Sequence, residues 1–125
     1  MFLKHNQFAI VLFFVIFSLC LLPGSEVPKS GQEHLDKFIH AVLFGLFSFC
    51  AMIGFKKQHQ FPVLASSVVV IVTSFSILYG ILIELFQGFA LNDRSFEWLD
   101  IVADVTGVLL GYFAFRIVVR GKNVT

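Results

Sequence analysis

Four long apolar runs, separated by three short stretches that hold most of the charged residues, dominate this chain and leave it few ways to fold. A bilayer's hydrocarbon core takes roughly 20 helical residues, with a range of about 17 to 25. The runs therefore predict an all-α fold, a four-transmembrane-helix bundle with spans at about residues 8–23, 37–55, 62–86 and 98–119. No internal repeat or second core is visible, so residues 1–125 read as a single transmembrane domain. With 58% hydrophobic and 14% charged residues in 125, the chain is too apolar for a soluble domain of this size. The net charge is only +1, and no basic run is interleaved with aromatics as nucleic-acid binding requires, so nucleic acid is excluded as a partner.

The first run resembles a signal peptide, because Lys4 precedes an apolar stretch of suitable length. No small-residue cleavage site follows it, and Leu19 stands before Cys20, where a lipoprotein signal would need a small residue. An uncleaved first span is expected. Cys20 and Cys50 both lie inside apolar runs and read as small buried hydrophobes rather than a disulfide or metal pair.

Charge sets the expected orientation. One set of span ends carries Lys4, Lys56, Lys57, Arg116, Arg120 and Lys122 and no acid. The other holds Lys29, Lys37 and Arg94 together with every acid: Glu26, Glu33, Asp36, Glu84, Asp93, Glu97, Asp100 and Asp104. The positive-inside rule places both termini in the cytoplasm and the acidic ends outside it.

Residues three and four apart share a helix face. Asp36 and His40 are thus neighbours with Lys37 beside them; Gly80, Glu84 and Gln87 form a second stripe; Asp100, Asp104, Gly107 and Gly111 form a third. A charged group facing lipid near the midplane costs at least about 2.5 kcal/mol, so these stripes should face inward and one another. A glycine every fourth residue lets two backbones approach closely, and Gly107 and Gly111 should seat the last span against the second or third.

In order and spacing, "DKFIH" at 36–40, "GILIELFQGF" at 80–89 and "RSFEWLDIVADVTGVLLG" at 94–111 resemble the VanZ-like family of small bacterial membrane proteins. The likeness runs from about residue 22 to residue 111. It departs at Asp104, where the family pattern often has Asn; Asp keeps the shape and adds a charge. The resemblance implies a multi-pass protein of the bacterial inner (cytoplasmic) membrane acting in the cell envelope, with a link to low-level teicoplanin-type glycopeptide resistance. It implies no particular reaction.

Four carboxylates gathered in a partly dry site would not all stay ionised; some must be protonated, paired or bound to a cation. Three readings follow. An enzyme at the outer membrane boundary would use His40, Glu84 and Asp100 in proton transfer. Asp36, Lys37, Gln87, Arg94 and Asp104 would then hold an envelope lipid, saccharide or glycopeptide-type ligand. A binding site without turnover would use the same residues. A structural or accessory subunit would use them only to hold the helices together. No spacing typical of metal ligands is present, so neither a metal nor a cofactor is expected. Membrane lipid is the expected neighbour; an oligomer is compatible with the sequence but not required by it.

Overall fold

The computed structural model describes residues 2–20, 32–58, 61–90 and 98–121. Among them the fold is all-α, with five helices: α1 Phe2–Cys20, α2 Gln32–Lys57, α3 Pro62–Ser66, α4 Val68–Ala90 and α5 Trp98–Gly121. Nothing else satisfies a backbone in hydrocarbon from within a single segment. Three segments, Lys37–Lys57, Val68–Phe89 and Trp98–Val119, are long and apolar enough to cross a membrane; the apolar part of α1, Leu3–Leu19, is shorter. The chain is thus a multi-pass membrane protein. Its surface fits that setting, since Phe8, Phe38, Val70, Phe89, Leu110, Phe113 and Ile117 are all exposed. Apolar exposure over all four long helices would be untenable in water and is ordinary in lipid.

The run expected as one span from residue 62 is divided. Pro62 opens α3 at a position where its missing N–H costs nothing. The chain then turns at Ser67, but the hydrogen bonds from Ser67 N to Val63 O (3.1 Å) and from Ile71 N to Ser67 O (3.0 Å) carry the helical pattern through it. The result is a kinked entry into α4. Before it, buried Gln58 takes over the role of a cap: its amide nitrogen donates to Phe55 O (3.1 Å) and Phe61 O (2.7 Å), and its oxygen accepts from Phe61 N at 2.7 Å.

α2 is the centre of the bundle, packed against α1, α4 and, most extensively, α5. Small residues explain that last contact. A Cβ at Gly45 would stand 3.1 Å from the Gly107 carbonyl oxygen, one at Gly111 would stand 2.6 Å from that of Gly45, and one at Gly107 would overlap the Ala41 carbonyl. Residue numbers rise together along this seam, so α2 and α5 run parallel. α4 runs against both, as the Phe47–Phe75 and Gly80–Asp104 contacts show.

Midway along the bundle Phe13, Phe47, Phe75 and Tyr79 form an aromatic cluster, with Phe13 and Tyr79 stacked at 4.4 Å. The Tyr79 hydroxyl donates to the Phe13 carbonyl at 2.7 Å and so ties α1 to α4. Tyr79 is itself buried in this contact.

Candidate functional site

Parallel packing of α2 on α5 brings their starting ends together, and the antiparallel α4 adds its finishing end. At that shared end His40 of α2, Glu84 and Gln87 of α4, and Asp100 and Asp104 of α5 are all buried, none more than 4% exposed. Counting from Trp98, Asp104 lies about 9 Å into α5 at 1.5 Å per residue. The cluster is therefore inside the bundle, one to two turns below its end.

Asp104 occupies the junction of the three helices. His40 Nδ1 lies 2.9 Å from Asp104 Oδ1, a hydrogen bond across 64 residues of sequence. The other oxygen, Oδ2, lies over Gly80: a Cβ there would stand 2.8 Å from it. Gly80 is what lets the carboxyl fit against α4. One turn further out, Lys37 Nζ lies 3.7 Å from Asp100 Oδ1, with the lysine side chain 24% exposed and the aspartate 5%. Lys37 is the partly open rim of an otherwise covered cluster. Glu84 and Gln87 continue the Gly80 face of α4 outward by one and two turns. Lys37, His40, Glu84, Gln87, Asp100 and Asp104 all have interaction partners.

Of the residues singled out from sequence, the structure brings His40 to Asp104 and Lys37 to Asp100, and buries Glu84 and Gln87 in the same end of the bundle. Gly107 and Gly111 lie against Ala41, Gly45 and Ser48 of α2. Asp36 is on α2, but its side chain lies outside the described residues, as does the whole of Arg94. Among the described residues no three of His, Cys, Asp and Glu converge as a metal site would need. The sequence spacing did not single out Gly45 and Ala41 as the other half of the α2–α5 seam. Their signal was a small residue one heptad before Ser48 and another four residues later, opposite a like pair.

A buried polar junction of three membrane helices, with Lys37 at its rim, defines a small polytopic membrane protein with an ionisable centre. The chain belongs to the VanZ/LLP1 family, whose model matches residues 2–119. The match takes in α1 as well as the three helices of the cluster, beyond the 22–111 stretch that carried the resemblance. No curated protein and no solved structure matches the chain.

Proposed function

We propose that this VanZ/LLP1 protein works in the bacterial cell envelope, in the inner membrane, and that its polar junction takes the head group of an envelope lipid, lipid-linked saccharide or glycopeptide-type ligand. The carrying observation is the His40–Asp104 pair, drawn from two helices and buried at 3% and 1% exposure. Interhelical polar contacts in membranes are worth only ~0.6 kcal/mol on average. Glycine contacts already hold α2 to α5, so burying five polar side chains is a poor means of doing the same.

In this reading Lys37 meets an anionic group on the ligand; Arg94 is a further candidate for that contact by its charge, and Asp36 for accepting a hydrogen bond from a donor on the ligand. With Asp104 ionised, the imidazole Nδ1–H donates to it, which fixes the ring and its tautomer and readies it to exchange a proton with a bound ligand. Glu84 and Asp100 are the carboxyls nearest in level for passing that proton on, whether the ligand is turned over or merely held. The acidic end then faces away from the cytoplasm, because the opposite end carries only cations. A cysteine at Lys57 should accordingly resist an impermeant thiol reagent added outside intact cells; labelling there would reverse the orientation.

The near-complete burial of the cluster favours a second reading, a structural network in an accessory subunit. Substitution separates the two. In cells challenged with a teicoplanin-type glycopeptide, His40→Gln and Glu84→Gln should leave the amount of protein in the membrane unchanged and abolish any protection it gives. Loss of protein in step with loss of protection would support the structural reading instead.

A further inference from the structure

α1 touches α4 only sparingly, and beside the Phe13–Tyr79 link a cavity of about 450 Å³ opens between them. Its walls include Ile10, Phe13, Ala51, Phe55, Val72 and Phe75, and among the described residues Asn6 at one end is the one polar residue in its lining. From Asn6 to Phe13 the helix rises about 10 Å, so the slot stays within one leaflet of a roughly 30 Å hydrocarbon core. The Asn6 end is also where cations gather. A Cβ at Gly54 would stand 2.5 Å from the His5 carbonyl, which fixes the start of α1 against the end of α2. Lys4 precedes that contact by one residue, and Lys56 and Lys57 follow Gly54 by two and three. No acidic residue occurs in this half of the sequence pattern.

We propose that this slot is a binding site for an anionic bilayer phospholipid, one acyl chain lying between α1 and α4 and the phosphate held among Lys4, Lys56 and Lys57. An apolar wall at membrane depth suits an acyl chain, and a cluster of lysines at its rim selects an anionic head group over a zwitterionic one. The site lies at the opposite end of the bundle from the His40 junction and is independent of its function.

Native mass spectrometry of the purified protein, mixed with equal amounts of phosphatidylglycerol and phosphatidylcholine of identical chains, tests this. The expected result is one phosphatidylglycerol retained in preference, with the preference falling by about fivefold for each of Lys4→Gln, Lys56→Gln and Lys57→Gln. Ala51→Leu, which projects into the slot, should reduce retention of both lipids. A second measurement does not depend on that variant folding. In Trp98→Phe/Phe14→Trp, tryptophan fluorescence should be quenched more by brominated phosphatidylglycerol than by brominated phosphatidylcholine at the same mole fraction. Equal retention of the two lipids by the native chain, or equal quenching by their brominated forms, would overturn the proposal.

Discussion

Each oxygen of the Asp104 carboxyl faces a different helix: Oδ1 meets His40 of α2, and Oδ2 lies over Gly80 of α4. An Asn at 104 has the same shape and still offers an oxygen to the His40 Nδ1–H, whereas Ala offers nothing. Asp104→Asn should therefore cost no more than about 0.6 to 1.7 kcal/mol, the range for interhelical polar contacts. Asp104→Ala should cost about 1–3 kcal/mol, because the buried imidazole loses its partner. Thermal unfolding in detergent measures both; equal losses would mean that Oδ1 contributes nothing to holding His40. Sequence spacing placed Asp104 and His40 on inward faces, since a period of 3.6 residues and the cost of charge in lipid leave little choice. It did not assign one oxygen to each neighbouring helix. That depends on Gly80 being opposite, a fact of tertiary contact.

At the scale of the helices, the α2–α5 seam carries the packing. A Cβ at Gly107 overlaps the Ala41 carbonyl, and backbone cannot swing aside as a side-chain end can. Gly107→Ala should thus destabilise by about 1–3 kcal/mol, the usual cost of overpacking, and more than His40→Gln, which removes one polar contact. The reverse order in a thermal-unfolding series would show that the polar residues, rather than the glycines, hold the bundle. Helix existence was legible from the apolar runs, and the pairing of Gly107 with Gly111 from their spacing. The partner helix was not, because glycines tell how near a neighbour comes but not which one it is. The kink at Ser67 was hidden too: an unbroken apolar run from 68 onward masks a turn whose hydrogen bonds remain helical. Gln58 gave no signal beyond being a polar residue in a loop, yet it joins α2 to α3 through three bonds.

For the whole molecule, the two ends of the bundle differ in kind. One gathers buried acids, an imidazole and a lysine; the other gathers exposed or half-buried lysines beside an apolar slot. Charge asymmetry along the sequence showed that the ends differ, since topology sorts residues by end before any folding detail is known. The slot could not be foreseen, because it arises from α1 leaning on α2 and barely reaching α4. The family match over residues 2–119 takes in α1 together with the other three long helices. The ligand site proposed for the acidic end is open to direct test. The most direct measurement is the unfolding temperature of the purified protein titrated with a lipid-linked saccharide phosphate and, separately, with a teicoplanin-type glycopeptide. A ligand bound at a hundred times its Kd adds about 2.7 kcal/mol to stability. At least one of the two should raise the native chain's unfolding temperature, and His40→Gln should abolish that rise. Equal rises in both proteins, or none in either, would contradict a ligand site built on His40.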